Sequence, residues 1–118
     1  MVYVVDDDEA VRESLVILLE AEGIAAESFD SGKSFLANAD LARAGFLIFD
    51  IHMPAMSGLD LLTRLRSQGV STPAMVLTGR SDATLDAAAK RLGAVMLSKP
   101  PEDQTLLRFV RGAIGPLG

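Results

Sequence analysis

Residues 46–62 read FLIFDIHMPAMSGLDLL, and this stretch decides the fold. Its first four residues, Phe46 to Phe49, form an uninterrupted apolar run, which is typical of a strand covered on both faces of a parallel sheet. A loop with Pro54 and Gly58 follows. The segment from Leu59 to Arg66 then places leucines 59, 62 and 65 on one helical face. The stretch therefore predicts a central strand, a loop and an amphipathic helix.

The same alternation of strand and helix continues on both sides. Strand patterns occupy residues 2–5, 24–29, 74–77 and 94–98, and a helical pattern follows each of them. The expected helix boundaries are Asp8 and Gly23, Ser31, Ser81 or Asp82 with Gly93, and the segment 100–103 with Gly115. Five such units require parallel strands joined by right-handed crossovers. The sequence therefore predicts a doubly wound α/β sheet with helices on both faces.

Composition excludes several classes of protein. A chain of 118 residues with 49% apolar and 23% charged residues is ordinary for one globular domain. The absence of cysteine rules out disulfides, thiol catalysis and thiolate zinc sites. A net charge of −5 argues against the basic face that nucleic-acid binding needs. Every apolar run is far shorter than the roughly 18 residues that cross a bilayer, and no basic leader is present, so we expect a soluble cytoplasmic domain.

Ligands of doubly wound sheets bind beyond the carboxyl ends of the strands. The residues at those ends are acids, one threonine and one lysine: Asp6, Asp7 and Asp8, then Asp50, then Thr78 and Gly79, then Lys99 and Pro100. If the first and third strands are neighbours, three carboxylates share one cleft, which requires compensating positive charge. Lys99 and a divalent cation would neutralise it, and ligands that are all oxygen favour Mg²⁺. Asp8 is expected to cap the following helix instead.

A carboxylate beside Mg²⁺, faced by a hydroxyl and an ammonium group, is typical of a site that accepts a phosphoryl group. Phosphoryl transfer depends on positioning and on neutralisation of the equatorial oxygens. Mg²⁺ would bind one oxygen, Lys99 a second, and the Thr78 hydroxyl with nearby backbone N–H groups a third. The sequence therefore indicates Asp50 as the acceptor.

Four segments together resemble the receiver domain of two-component response regulators: VVDDD at 4–8, FDIHMPAMSG at 49–58, LTG at 77–79 and SKP at 98–100. The match covers the whole chain in order. It is most similar to receivers of the regulators with a LuxR-type helix-turn-helix domain, the nitrogen-fixation regulators among them. The resemblance implies a flavodoxin-like fold with strand order 2-1-3-4-5. It also implies a receiver domain over residues 1–114, with 115–118 as the start of a C-terminal linker or tail.

The resemblance implies a role for each matching residue. Asp50 is the phosphoryl acceptor, Asp7 a direct metal ligand and Asp6 a ligand through water. The backbone carbonyl of His52 is the third protein ligand for Mg²⁺, with Mn²⁺ as an alternative. Thr78 is the switch hydroxyl and Lys99 is its charged partner. The Lys99–Pro100 peptide bond is expected to be cis.

Several positions bear on switching rather than on phosphorylation. Met96 stands where the family usually has Tyr or Phe, so the aromatic half of the switch is in doubt, and Pro101 replaces a common Phe. Gly79 and Arg80 follow the switch threonine and are candidates for tuning it. His52 is either an exposed loop side chain or, together with Arg80, a control on water access and on the lifetime of the acyl phosphate.

The favoured interpretation is a signalling switch and not an enzyme with a free substrate. A sensor histidine kinase phosphorylates Asp50, and the surface of the fourth helix and fifth strand, around residues 84–97, changes to control an output, expected to be transcription. A homodimer through that surface and a following DNA-binding domain both remain open; direct binding of nucleic acid or membrane by this domain is not expected. One alternative is a constitutive interaction module whose switch is decoupled at Met96. Another is a Mg²⁺-dependent phosphatase, although His52 stands where its second acid would be.

Overall fold

The computed structural model describes residues 1–80 and 82–115, and within them five strands form one parallel sheet in the order β2-β1-β3-β4-β5. The strands are β1 (Val2–Val5), β2 (Ala26–Phe29), β3 (Phe46–Asp50), β4 (Ala74–Thr78) and β5 (Ala94–Ser98). The helices are α1 (Glu9–Ala21), α2 (Gly32–Asn38), α3 (Gly58–Ser67), α4 (Ala83–Arg91) and α5 (Asp103–Ile114). The predicted fold class and strand order are confirmed.

The sheet separates two hydrophobic cores, and successive residues of the inner strands point alternately into one and the other. Val4 and Ile48 pack with the inner faces of α1 and α5, whereas Val5 and Phe49 pack with those of α2, α3 and α4. This explains why the inner strands read as continuous apolar runs, since both of their faces are covered. The register pairs Val5 with Phe49 and Asp50 with Leu77, so β1, β3 and β4 end at the same edge of the sheet.

Helix caps agree with the sequence signals. The Asp8 side chain accepts hydrogen bonds from the backbone N–H groups of residues 10 and 11, so the capping role expected for Asp8 is confirmed. Ser31 caps α2 and Asp82 caps α4 through the same type of bond. The alternative start at Ser81 lies outside the described residues. So do residues 116–118 of the predicted linker or tail.

The structure differs from the sequence pattern in three local respects. β2 begins at Ala26 rather than Ile24, although Ile24 is buried. The buried side chains of α3 belong to leucines 61, 62 and 65, while Leu59 is only partly buried. Leu59 still packs against the core, and Gly58 brings the first turn of α3 close to the backbone carbonyl of Asp50. A 3₁₀ turn at Leu41–Arg43, which the sequence pattern did not predict, precedes β3.

Within residues 1–80 and 82–115, no helix is both long enough and apolar enough to cross a bilayer.

Candidate functional site

Three carboxylates meet at the carboxyl edge of the sheet. Asp6 and Asp7 follow β1, and Asp50 is the last residue of β3. One oxygen from each of the three side chains lies within 4.8 Å of the others. Asp6 is 1% exposed and Asp50 4% exposed, whereas Asp7 faces solvent. The cleft expected from the sequence therefore contains two buried acids and one accessible acid.

The Lys99 ammonium group lies between the two buried acids. Its Nζ atom is 2.8 Å from Oδ2 of Asp6 and 3.4 Å from Oδ1 of Asp50. Lys99 follows β5 directly, and its backbone N–H donates to the carbonyl oxygen of Thr78 at 2.8 Å. The peptide bond between Lys99 and Pro100 is cis. The end of β5 thus places one positive charge, that of Lys99, beside the acids at the ends of β1 and β3.

Burial and the interactions between Lys99 and the two acids act in opposite directions on the pKa values of this cluster. Burial raises the pKa of Asp50, and the neighbouring Asp6 charge raises it further, against the lowering effects of Lys99 and of the His52 backbone N–H. Burial lowers the pKa of Lys99, but its hydrogen bonding and charge interactions with Asp6 and Asp50 outweigh this and raise the pKa overall. Lys99 is therefore charged at neutral pH. Asp50 is a carboxylate whose ionisation the fold disfavours.

The donor set fits a hard divalent cation. Oδ1 of Asp6 accepts the backbone N–H of Asp8 at 2.9 Å. Oδ2 of Asp6 is fully buried and, among the described residues, has no hydrogen-bond donor in good geometry, only the Lys99 ion pair. With Lys99 included, three ionised carboxylates leave two negative charges without compensation. Oxygen ligands with this residual charge suit a cation of the Mg²⁺ type. The acidic cluster can therefore bind a metal ion.

The hydroxyl of Thr78 has three polar partners. Thr78 is fully buried, and its Oγ1 donates to the carbonyl oxygen of Arg80 at 2.8 Å and accepts from the Arg80 backbone N–H at 3.1 Å. Nε2 of the His52 imidazole lies 3.1 Å from the same oxygen. Arg80 therefore contacts Thr78 through its backbone, and the Arg80 side chain is exposed. The roles expected for His52 and Arg80 did not include these contacts.

Two further candidates lie beside the site. A side chain at Gly79 would meet nothing within 4 Å, so local packing does not require glycine there. Met96 is partly buried on β5 opposite Val76. It lines a cavity of about 360 Å³ with residues of α4, among them Asp86. The space between α4 and β5 is therefore adjacent to Met96.

Sequence reasoning missed two supporting residues. Nη1 of Arg12, one turn into α1, donates to the backbone carbonyl of Asp6 at 2.9 Å. Gly58 lets the first turn of α3 approach the Asp50 carbonyl so closely that a side-chain carbon would collide with it. A glycine directly after the Ser57 cap was a usable signal for this close approach. Nothing in the sequence pattern points from Arg12 to Asp6.

Comparison with known proteins agrees with this geometry. The family model for the response regulator receiver domain matches residues 2–111. The transcriptional regulatory protein FixJ of Azorhizobium caulinodans is 42% identical over 116 residues, which cover 97% of this chain and 54% of that protein. FixJ of Rhizobium meliloti is 38% identical over 113 residues, which cover 95% and 55% respectively. The chain thus spans about half the length of the curated relatives it matches.

Solved structures give the same result. The response regulator StyR superimposes with a TM-score of 0.88 at 36% identity, over 96% of this chain and 58% of StyR. The structure titled FixJ-N superimposes with a TM-score of 0.85 at 36% identity, over 99% of this chain and 94% of that chain. The predicted similarity to the nitrogen-fixation regulators is therefore confirmed. This chain belongs to the response regulator receiver domain family, the signalling domains of two-component systems.

Proposed function

We propose that this receiver domain accepts a phosphoryl group on Asp50 from a sensor histidine kinase. In this proposal Mg²⁺, or Mn²⁺, is held by the carboxylates of Asp6, Asp7 and Asp50 and by the backbone carbonyl of His52. The observation that carries the proposal is the position of the Lys99 ammonium, 2.8 Å from Asp6 and 3.4 Å from Asp50. It compensates the buried acids and is in reach of a group bound to Asp50.

The transfer is a substitution at phosphorus. An oxygen of the Asp50 carboxylate forms the new bond, and the bond to the donor's imidazole nitrogen breaks with its electron pair on that nitrogen. Burial and the Asp6 charge raise the pKa of Asp50, whereas Lys99 lowers it and so favours the ionised carboxylate that attacks. Lys99 pairs with an oxygen of the incoming group. A bound Mg²⁺ would supply positive charge to the remaining oxygens.

Phosphorylation replaces the single negative charge of the Asp50 carboxylate by roughly two negative charges on the phosphoryl group, next to Lys99 and Thr78. A nearly complete two-state switch requires ~5.5 kcal/mol of differential stabilisation. Charge-assisted contacts from these two residues, at about 1.5–3 kcal/mol each, contribute to it. The cavity beside Met96 leaves space for α4 and β5 to rearrange around residues 84–97. That surface then controls an output, which we propose is transcription, and is the face for a phosphorylation-dependent homodimer.

We take residues 1–114 as the receiver unit and residues 115–118 as the start of a linker or tail.

The proposal is tested by intact mass spectrometry after incubation with acetyl phosphate and Mg²⁺. Wild type is expected to gain one phosphoryl group, and Asp50→Asn to gain none. Asp8→Asn is the matched control, because asparagine keeps the helix cap and Asp8 lies outside the carboxylate cluster. This control is expected to gain one phosphoryl group. No gain in wild type, or an equal gain in Asp50→Asn, would overturn the proposal.

A second measurement separates a switch from a constitutive interaction module. Self-association of wild type and Asp50→Asn is compared by analytical ultracentrifugation with and without acetyl phosphate. A switch associates only in phosphorylated wild type. Equal association in all four samples would favour a module that is decoupled at Met96. Multiple turnover of a free phosphate ester would instead favour the phosphatase alternative.

A further inference from the structure

The hydroxyl of Thr78 is saturated in this structure. A hydroxyl group can donate one hydrogen bond and accept two. Thr78 donates to the Arg80 carbonyl at 2.8 Å and accepts from the Arg80 N–H at 3.1 Å. With the hydroxyl proton committed to Arg80, the His52 Nε2–H at 3.1 Å is the donor to the remaining lone pair. Thr78 therefore has no proton left to offer a phosphoryl group until this arrangement breaks.

The contact also determines where the His52 ring lies. His52 is exposed, so packing against the core does not hold its side chain, whereas Thr78 is fully buried at the end of β4. The hydrogen bond to Thr78 therefore orients the imidazole. Since His52 follows the acceptor Asp50 by two residues, the bond connects the loop after β3 directly to the switch threonine on β4.

We infer that the His52 imidazole is a positioning residue that holds the Thr78 hydroxyl in its arrangement before phosphorylation. This inference rests on the proposed function and names a restraint on the same site. The His52 side chain acts on Thr78, which is a separate role from that of the His52 backbone carbonyl at the metal. Because the restraint must be released when Thr78 turns to the phosphoryl group, it lowers the apparent affinity of the site for that group.

The test uses beryllium fluoride, a tetrahedral mimic of a phosphoryl group on a carboxylate, titrated in the presence of Mg²⁺ by isothermal calorimetry. His52→Ala removes the ring and keeps the backbone carbonyl, and we expect it to bind about two- to tenfold more tightly than wild type, the range of one net hydrogen bond. His52→Gln places an amide nitrogen at the same number of bonds from the backbone. It is expected to behave like wild type.

Thr78→Val provides the decisive background, because it removes the hydroxyl and keeps the β-branched shape. In that background His52→Ala is expected to leave the affinity unchanged. An equal gain with and without the hydroxyl would mean that His52 acts on the pocket directly, and it would overturn the inference. An affinity of His52→Ala no tighter than wild type, or a His52→Gln variant that behaves like His52→Ala, would also overturn it.

A second readout does not depend on the phosphoryl mimic. Three-bond couplings measured by NMR report the side-chain rotamer of Thr78 in the unliganded protein. We expect one rotamer in wild type and His52→Gln and averaged rotamers in His52→Ala. If no variant binds beryllium fluoride, the proposed function fails, and the rotamer measurement still decides the restraint: a single rotamer in His52→Ala would overturn it.

Discussion

At the scale of single residues, Asp50 must be ionised to act as a nucleophile, but its surroundings disfavour ionisation. Its ionised carboxylate is the proposed nucleophile, yet it lies 4% exposed beside another acid. Burial, with the Asp6 charge second, raises the pKa of Asp50 above its ordinary value of 3.8. The folded protein therefore binds this proton more tightly than the unfolded chain does. Ionisation of Asp50 consequently opposes folding.

The sign of the pH dependence follows from this shift. The penalty from Asp50 is absent below pH 3.8, grows as the pH rises through the raised pKa, and is complete above it. In metal-free buffer we therefore expect Asp50→Asn to have a higher Tm than wild type at pH 7, by about 4 °C for each kcal/mol gained. The gain is expected to shrink toward pH 3.5, and thermal unfolding followed by circular dichroism measures both values.

The control for this prediction is Asp86→Asn. Asp86 forms a solvent-exposed i,i+4 pair with Lys90 at 3.2 Å, and such pairs contribute little to stability. Its Tm is expected to stay close to that of wild type at both pH values. An Asp50→Asn variant that is less stable than wild type at pH 7 would show that the Lys99 interaction outweighs the burial of Asp50.

The sequence predicts where some of the site residues lie, but it does not predict every contact between them. Asp6 and Lys99 directly follow a strand and Asp50 ends one, so the parallel sheet is sufficient to bring them to one edge. The contact between His52 and Thr78 could not be predicted, because it depends on the conformation of the loop after β3. No hydrophobic period constrains that loop, and Ala55 within it adopts a φ of 69°. Strand ends are thus predictable from pattern, whereas side-chain contacts made by loops are not.

At the scale of elements, the C-terminal end of α4 is fixed by Arg66 of α3. Nε of Arg66 donates to the Leu92 carbonyl at 2.8 Å, and Nη1 donates to the Val70 carbonyl at 2.9 Å. Burial lowers the pKa of Arg66, which nevertheless stays cationic at neutral pH. This guanidinium therefore connects the ends of two helices and holds one end of the proposed switch surface.

Replacing Arg66 by methionine keeps most of the aliphatic volume and removes both hydrogen bonds. We expect Arg66→Met to lower the free energy of unfolding by about 2 kcal/mol, since each lost bond leaves a carbonyl without its charged donor. Urea denaturation measures this loss, and hydrogen exchange is expected to become faster at Leu92 and Gly93. Arg64→Met is the matched control on the same helix, with an exposed side chain and an expected change within 0.5 kcal/mol, the usual range of about ±0.5 for surface sites. Equal losses in both variants would contradict the role of Arg66.

Helices and strands are predicted well where a capping residue and the hydrophobic periodicity indicate the same element. The start of α1 is one such case, because Asp8 caps the helix and apolar residues repeat along one of its faces. The predicted bounds of β5 are also those of the structure. The close packing of Gly58 against the Asp50 carbonyl was missed, because it is a contact between segments that periodicity does not contain. The same contact couples the first turn of α3 to the proposed acceptor residue. Element existence is therefore set locally, while element orientation is set by packing.

At the scale of the whole molecule, a metal ion bound at the acidic cluster would make the stability of the fold depend on the metal concentration. Its acids follow β1 and end β3, strands that are neighbours in the sheet only when the chain is folded. A cation that binds this cluster therefore binds the folded state and not the unfolded chain. Stabilisation then follows RT ln(1 + [Mg²⁺]/Kd), which is about 2.7 kcal/mol at a hundred times Kd.

We expect the Tm of wild type to rise with Mg²⁺ concentration. Above Kd the rise should follow the logarithm of the concentration and show no plateau. Asp7→Asn is expected to keep the metal-free Tm, because Asp7 is exposed, and to lose most of the Mg²⁺-dependent rise, because one of the three clustered carboxylates is gone. Asp8→Asn, which keeps its cap and lies outside the cluster, is expected to show the full rise. Differential scanning calorimetry with NaCl at matched ionic strength separates specific binding from charge screening. An equal rise in Asp7→Asn and wild type would show that Mg²⁺ stabilises this acidic protein without binding at the strand ends.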